Sequence, residues 1–126
     1  NHALRLVTPA GQVTTLAGNG HPGMIDGALA EARFDGPRDV AVDVAGRIYV
    51  TEVGNHRVRR IDLGSGTVVT LAGDGTQGFA DGAGASARFF GQEGIDVTAD
   101  GTTVYVADGT NGEVEPYHRI RVLSVP

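Results

Sequence analysis

The chain contains an internal repeat, and this feature limits its possible folds more than any other. Residues 36–61 recur, with a longer third connection, as residues 91–122. The segments 15–18 and 70–73 both read Thr-Leu-Ala-Gly and lie 55 residues apart. The offset holds within blocks and changes only at turns and at one insertion, as it does in structural repeats with variable loops. The sequence therefore predicts a repeat architecture.

Each repeat contains runs of β-branched and aromatic residues bounded by turn residues, a pattern that predicts strands. The connections are short, so successive strands are expected to pair antiparallel. Apolar residues at both alternating positions predict sheets that are covered on both faces. We therefore expect an all-β fold of four-stranded antiparallel meanders, the blades of a β-propeller. In the complete unit the predicted strands are residues 39–43, 47–51, 56–61 and 67–71.

The repeats predict one domain, a β-propeller segment over residues 1–126. Propellers close with about four to eight blades, and this chain supplies about two blades of what would be a roughly six-bladed propeller. A strand of the third type occurs at both ends, so the terminal blades of neighbouring copies would compete for one position, and we expect a fragment of a longer propeller. The alternative is a homo-oligomer of two-blade units. The predicted boundaries are 1–18 for the end of one blade, 37–73 for a full blade, 94–125 for a partial blade, and 19–36 and 74–93 for the inter-blade connectors.

Composition narrows the classes of partner. The net charge is −5, and the ten basic residues are all arginine. General nucleic-acid and anionic-membrane binders need a positive field, so we expect neither kind of partner. No apolar run approaches the roughly 20 residues of a membrane span. The absence of cysteine excludes disulfides and thiolate metal sites.

Residues 55–59 carry a motif that resembles a known family. They read Asn-His-Arg-Val-Arg, follow the predicted strand 47–51, and resemble the NHL repeat, which is named for an Asn-His-Leu triplet. The connector pattern, Leu-Ala-Gly, Asp-Gly and then Ala-Arg-Phe, resembles the long-repeat form common in bacterial proteins. Asp39, Gln92 and Tyr117 depart from the family pattern. The resemblance implies a rigid propeller scaffold that recognises a protein, peptide or small-molecule ligand, and it favours a secreted or periplasmic location.

Both connectors carry the same candidate structural residues. In each, an aspartate lies seven residues before an arginine, and we expect the two to form a salt bridge that pins the connector. The phenylalanine after the arginine is expected to pack between adjacent blades. The glycine-rich start of each connector lacks the Gly-Lys-Ser/Thr of a phosphate-binding loop and is expected to form a crossover turn. These structural residues are Asp26, Arg33 and Phe34 in the first connector and Asp81, Arg88 and Phe89 in the second.

Three histidines occupy equivalent positions in the repeats. They are His2, His56 and His118, and Asn55 precedes the second of them. Equivalent positions on successive blades lie far apart around a propeller, so these side chains are not expected to share one metal ion. We expect Asn55 and the histidines to make structural hydrogen bonds at the start of the third strand.

Paired arginines on the third strands have two interpretations. The pair Arg57 and Arg59 shares one strand face, as does the pair Arg119 and Arg121. Some NHL propellers bind single-stranded RNA on a positive face, so these arginines form an alternative nucleic-acid site. The favoured interpretation is pairing with acids, because arginines are usually solvated or paired. The candidate acids are Asp43, Glu52, Asp62 and Asp108.

The strands nearest the propeller axis carry the candidate ligand site. Arg38 and Asp39 lie at the start of one such strand, and Glu93 and Asp96 lie on its counterpart. The resemblance implies that ligands bind at this channel mouth, where six-bladed relatives such as lactonases and the peptide-amidating lyase hold a metal ion. Asp39 and Glu93 are therefore candidate ligands for a divalent cation. A solvated acidic rim is the other interpretation, and no further cofactor is expected.

Three functions remain open at this stage. The first is a recognition scaffold whose contacts come from loops at one end of the blades. The second is a metal-dependent enzyme similar to the lactonases or the lyase, although no nucleophilic constellation can be assembled from the residues present. The third is binding of single-stranded RNA through the strand arginines. We expect the scaffold, and we expect no enzymatic activity.

Overall fold

A computed structural model describes residues 1–109 and 118–126. The described part is all-β, as the sequence predicts, with one short 3₁₀ turn at Gly84–Ser86 in the second connector. Its strands form three antiparallel sheets. The strands are β1 (Leu4–Val7), β2 (Val13–Ala17), β3 (Gly27–Ala28), β4 (Pro37–Val42), β5 (Ile48–Glu52), β6 (Arg57–Asp62), β7 (Thr67–Ala72), β8 (Gln92–Val97), β9 (Thr103–Asp108) and β10 (Arg119–Ser124).

The central sheet contains the predicted four-stranded meander. Strands β4 to β7 pair antiparallel in chain order, which confirms the predicted strands and their connectivity. A fifth strand, β3, was not predicted and lies on the outer edge beside β7, where Gly27 pairs with Val68. It comes from the first connector, so the connector is part of the blade that follows it.

The two smaller sheets are incomplete versions of the central one. Strands β1 and β2 form a hairpin that corresponds in sequence to β6 and β7. Strands β8, β9 and β10 form a meander that corresponds to β4, β5 and β6. The fold class is thus that of β-propeller blades, and the number of blades in a complete propeller stays a prediction.

Apolar side chains fill two cores, one on each face of the central sheet. Strand β5 is buried along its whole length, and alternate residues point into opposite cores. Ile48 and Val50 pack in the first core, against the β1–β2 hairpin, together with Phe34. Tyr49 packs in the second core, against β9, together with Phe89. Both phenylalanines are fully buried between neighbouring sheets.

A buried turn fastens the central sheet to the next one. Asp43 accepts hydrogen bonds from the Arg47 guanidinium (2.6 Å) and the Tyr49 hydroxyl (3.1 Å). Burial alone would raise the pKa of Asp43, but the bonds from Arg47 and Tyr49 lower it below its usual value. The Arg47 guanidinium also donates to the Asp100 carbonyl, at 3.0 Å, on the β8–β9 turn. Hydrogen bonds from Thr98 and Thr102 hold that turn and lower the pKa of Asp100 to about 2.

Apolar side chains are exposed on both outer faces of the described structure. Val40 and Val42 are exposed on β4, and Ile120 and Val122 are exposed on β10. Within residues 1–109 and 118–126, no helix has the length and apolar character needed to cross a membrane.

Candidate functional site

A buried arginine organises the contact between the first connector and the central sheet. The five N–H groups of Arg59, on β6, all have acceptors. Two of them donate to Asp26 (2.6 and 3.0 Å) and one to Glu52 (2.9 Å). The remaining two donate to the Ile25 and Arg33 carbonyls (2.9 and 3.1 Å). Because all five donors belong to one planar guanidinium group, Arg59 fixes the position of the connector relative to β6.

The same arrangement recurs in the third sheet around Arg121. This arginine donates twice to Asp81 (2.7 and 3.1 Å) and once to Asp108 (2.9 Å). It also donates to the Ala80 and Arg88 carbonyls, both at 2.8 Å. We call the two arrangements the Arg59 cradle and the Arg121 cradle.

The cradles correct the predicted connector salt bridges. Asp26 pairs with Arg59 and not with Arg33, and Asp81 pairs with Arg121 and not with Arg88. In each case the arginine lies on the third strand of a sheet, β6 or β10, and the aspartate lies in the connector that packs against that strand. Arg33 and its counterpart take part through their backbone carbonyls. The second of them pairs through its side chain with Asp74 (2.7 Å), which fastens the start of that connector.

Asn55 and His2 make hydrogen bonds beside the Arg59 cradle. The Asn55 amide donates to Glu52 and to the Gly23 carbonyl, both at 2.9 Å. His2 and His56 have positive φ angles of 48° and 51°, which is uncommon outside glycine. The His2 Nδ1 atom accepts from a backbone N–H at 3.3 Å. The corresponding atom of His56 is buried with no hydrogen-bond partner among the described residues, and burial lowers its pKa.

Two predicted positions lie at the insertion in the third sheet. His118 is exposed immediately before β10. Tyr117, which replaces the asparagine of the triplet, lies outside the described residues.

The structure brings the predicted channel-mouth residues of the two sheets together. The guanidinium of Arg38, on β4, lies 2.9 Å from the Glu93 carboxylate on β8. The carboxylate of Asp39 accepts from the backbone N–H of Ile95, also on β8, at 3.0 Å. Asp96 is exposed and accepts from the N–H of its neighbour Val97, at 2.9 Å. Arg38, Asp39 and Glu93 thus join the inner strands of adjacent sheets, and Asp96 lies on the same strand.

These contacts do not fit a divalent cation between Asp39 and Glu93. Both oxygens of Asp39 accept from backbone N–H groups, those of Val40 and Ile95. Glu93 lies against the positive Arg38. A cation site needs carboxylate oxygens that face one another without competing donors. In the part of the chain that the structure describes, no three His, Cys, Asp or Glu side chains form a group that could hold an ion.

The strand arginines are bound within the fold. Arg59 is fully buried and Arg121 is 6% exposed, so neither side chain can contact a phosphate. Arg57 donates to the Asn55 and Asp74 carbonyls (3.2 and 2.9 Å). Two of the four predicted acids are confirmed as partners: Glu52 pairs with Arg59, and Asp108 pairs with Arg121.

Comparison with known proteins identifies the family. The family model for the NHL repeat matches residues 34–61, which run from the end of the first connector to β6. The chain belongs to the NHL-repeat family. It is 38% identical over 78 residues to NHL repeat-containing protein 2 of Bos taurus and of Homo sapiens, an overlap that covers 62% of the chain. It is 37% identical over 86 residues, or 68% of the chain, to the chloroplastic protein SUPPRESSOR OF QUENCHING 1 of Arabidopsis thaliana.

This NHL chain spans only a small part of its relatives. It covers 11% of NHL repeat-containing protein 2 and 8% of the Arabidopsis protein. Among solved structures, it is similar to a Bacteroides thetaiotaomicron protein of unknown function, with a TM-score of 0.78, 24% identity, and coverage of 85% of this chain and 27% of that one. An auxiliary nutrient binding protein of the same species gives a TM-score of 0.64, 27% identity, and coverage of 76% and 26%.

One feature of this NHL chain was missed from the sequence. Phe79 lies over the guanidinium groups of Arg119 (3.7 Å) and Arg121 (4.7 Å) and lines a groove beside β10. The available signal was the 55-residue offset, which aligns Phe79 with Met24, but the two residue types differ. Because the repeat comparison relied on identical residues, it did not detect this position.

Proposed function

We propose that the chain is part of an NHL propeller that acts as a rigid recognition scaffold. The scaffold binds a protein, peptide or small-molecule ligand at the channel mouth, where β4 and β8 begin. The observation that carries the proposal is the strip of charged residues shared by two adjacent sheets: Arg38, Asp39, Glu93 and Asp96. Within this strip the Arg38 side chain is 52% exposed, so its charge is available to a ligand.

The two cradles support this proposal because they make the frame stiff. Each one uses a single arginine, which makes four hydrogen bonds to a connector and a fifth to an acid on the neighbouring strand. A site is more selective when the elements that carry it are held by packing and hydrogen bonds. The structural similarity to an auxiliary nutrient binding protein of Bacteroides thetaiotaomicron supports a small ligand.

The exposed apolar faces support further blades as structural partners. Val40 and Val42 on one side, and Ile120 and Val122 on the other, lie on faces that neighbouring blades cover in a propeller. The additional blades would come from the same parent chain or from other copies of this one.

A ligand screen tests the channel-mouth site. The chain is mixed with sets of small nutrients and short peptides, and binding is detected and mapped by backbone amide NMR shifts. We expect shifts centred on residues 36–39 and 92–96, and we expect Arg38→Gln and Glu93→Gln to weaken binding. Arg5→Gln and Glu31→Gln, at exposed positions away from this end, are the matched controls. Binding that maps elsewhere, or that the two channel-mouth variants leave unchanged, would contradict the proposal.

A further inference from the structure

The second connector is held at its start by a salt bridge that the first connector lacks. One carboxylate oxygen of Asp74, Oδ1, accepts from the backbone N–H of Thr76 (2.6 Å), and the other, Oδ2, accepts from the Nε–H of Arg88 (2.7 Å). These bonds lower the pKa of Asp74 below its usual value, and the bond from Arg88 has the largest effect. The carboxylate therefore stays ionised at neutral pH and keeps its charged partner.

The first connector has an amide in place of this carboxylate. Asn19 and Arg33 are the counterparts of Asp74 and Arg88 at the 55-residue offset. The Asn19 Oδ1 atom accepts from the backbone N–H of His21 (3.0 Å), in the same turn that the second connector makes. The remaining polar atom of the Asn19 side chain is then Nδ2, which is a donor, where the second connector has an acceptor.

The glycines show that the two connectors have the same backbone. The φ angles are 85° at Gly20 and 90° at Gly75, and they are 156° at Gly23 and 155° at Gly78. The backbone N–H groups of Gly23 and Gly78 each donate to the carbonyl of the buried phenylalanine in their own connector, at 3.1 and 3.0 Å. The side chain at position 19 or 74 is therefore placed alike in both, and the two connectors differ in its chemistry.

Arg33 lacks the partner that Arg88 has. The Arg33 Nε atom is buried and makes no hydrogen bond among the described residues. An arginine side chain is always charged and has only donors, so this N–H needs an acceptor. A buried donor without an acceptor is costly. A carboxylate at position 19 would supply the acceptor, and the amide nitrogen of Asn19 does not.

The sequence allows this amide to become a carboxylate. Asn19 is followed by Gly20, and both residues are exposed. Asparagine is one of the thermolabile residues of proteins. Gly20 has no side chain to hinder its backbone nitrogen, and its N–H makes no hydrogen bond within residues 1–109 and 118–126. The nitrogen is therefore accessible for attack on the neighbouring side-chain carbonyl carbon.

We propose that Asn19 is a modification site that deamidates to an aspartate, whose carboxylate then pairs with Arg33 and fastens the first connector. In the first step the Gly20 backbone nitrogen bonds to the Asn19 side-chain carbonyl carbon. The Gly20 N–H proton passes to the departing amide, and ammonia leaves a cyclic imide. In the second step water breaks the imide bond between the ring nitrogen and the former side-chain carbonyl, which gives aspartate. One water is taken up and one ammonia is released, without oxidation.

The modification site is independent of the proposed ligand site. It involves none of the channel-mouth residues and changes only how the first connector is held. Either proposal can therefore fail without the other.

Incubation of the full 126-residue chain at mildly alkaline pH, followed by peptide mapping with mass spectrometry, tests the reaction. A synthetic peptide of residues 15–25 gives the intrinsic rate of the same dipeptide. We expect conversion at Asn19 with aspartate among the products. We expect none at Asn55, whose amide donates to Glu52 and to a backbone carbonyl. An intact Asn19 after the peptide has converted, or isoaspartate as the sole product, would overturn the proposal.

Variants of the first connector test the bond to Arg33. Asn19→Asp has the side chain of the product, and we expect it to raise the Tm by about 2–4 °C. Asn19→Gln keeps an amide and is the matched control, with no such rise. The NMR signal of the Arg33 Nε–H should shift in Asn19→Asp and in the incubated chain. No rise in the Tm, or a rise that persists in an Arg33→Gln background, would overturn the pairing.

The second connector allows the reverse experiment. Asp74→Asn places an asparagine before Gly75 and removes the acceptor of Arg88, and we expect it to lower the Tm. The change is made in the Asn19→Gln background, so that the first connector does not react. Incubation should then restore the Tm as position 74 returns to aspartate. A Tm that stays low after mass spectrometry has confirmed this return would contradict the proposal.

Discussion

The two cradles are built from the same residue types at equivalent positions, yet they differ in what surrounds them. Arg59 and Asp26 lie beside a complete sheet, and β7 covers them. Arg121 and Asp81 border an open groove. The internal geometry of each cradle is nevertheless the same, with five donated hydrogen bonds and four acceptor atoms, since one aspartate oxygen accepts twice. The same arrangement of bonds thus occurs beside β7 in the central sheet and beside the groove in the third.

A second difference lies in the acid behind each arginine. Glu52 accepts from Arg59, from Asn55 and from the backbone N–H of Asp35 (2.8 Å). Asp108, one methylene shorter, accepts from Arg121 and from two successive backbone N–H groups, those of Phe90 and Gly91.

Within the described residues, the bond that His2 Nδ1 makes is missing at the corresponding atom of His56. Beside the Arg59 cradle, the backbone N–H of Gly36, the counterpart of Gly91, donates to the His2 Nδ1 atom. Beside the Arg121 cradle, Asp108 takes the N–H of Gly91. The Nδ1 atom of His56 is buried without a partner among the described residues.

The largest expected effect comes from removing the cradle arginines. Arg59→Ala leaves Glu52 buried and unpaired, and we expect it to lower the free energy of unfolding by about 3–5 kcal/mol. Arg121→Ala should cost about 1 kcal/mol less, because its bond to the exposed Asp81 is screened by solvent. Denaturant titration measures both, with Arg60→Ala as the control on the same strand as Arg59. A larger loss for Arg121→Ala than for Arg59→Ala would contradict the weaker contribution expected of the exposed Asp81.

The next effect concerns the two buried phenylalanines. We expect Phe34→Ala to cost about 3–5 kcal/mol, because it leaves an enclosed cavity. Phe89→Ala should lie at the low end of that range, since Phe89 borders the groove and water can enter. Phe90→Ala, at a half-buried position, should cost several times less than Phe89→Ala. Equal losses for Phe89→Ala and Phe90→Ala in thermal unfolding would contradict the inter-blade assignment of Phe89.

A smaller effect tests the difference between Glu52 and Asp108. Glu52→Asp gives the Arg59 cradle the shorter acid that the Arg121 cradle has. We expect it to lower the free energy of unfolding by about 1–2 kcal/mol, through one lost methylene contact and one weakened hydrogen bond. We also expect the Gly36 N–H to move from His2 to the shortened carboxylate. Nitrogen-15 shifts of the His2 ring report this change, and an unchanged ring spectrum would mean that acid length does not decide the histidine's bond.

The smallest effect is a pH dependence that arises from His56. Burial lowers the pKa of His56 in the folded state, so below pH of about 6.5 the unfolded chain takes up a proton that the folded chain does not. Stability is therefore complete above this pH and declines as the pH falls toward the lowered folded value. His56→Asn, chosen because asparagine tolerates a positive φ, should flatten this decline. His21→Asn, a change at an exposed position, is the control and should show the same decline as the unaltered chain. Thermal melts between pH 7.5 and 5.5 measure it.

Local pattern was sufficient to predict much of the fold. The four strands of the central sheet follow from β-branched runs closed by glycine, and Phe34 and Phe89 stand out because the repeat preserves them. Asp39 and Glu93 were expected to lie together at the channel mouth as candidate cation ligands, an expectation that came from the family resemblance. In the structure Glu93 pairs with Arg38, and Asp39 accepts from a backbone N–H of β8.

The parts that could not be predicted depend on contacts between distant segments. The partner of Asp26 was sought seven residues away, but it lies on β6, 33 residues along the chain. Strand β3 has only two residues and no apolar alternation, so it exists only because β7 offers a free edge. The groove in the third sheet is likewise visible only once the central and third sheets can be compared.

Strand β3 also has a consequence for the order of events during synthesis. It pairs with a strand made about 40 residues later, so its partner does not yet exist when β3 is synthesised. At about 5–20 residues per second, the wait is about 2–8 s. During that time Asp26 has neither Arg59 nor Thr70 to bind, and the first connector remains loose. The connector can therefore be fastened in two stages, first when Arg59 on β6 reaches Asp26, and then when β7 pairs with β3 and Thr70 donates to the same carboxylate.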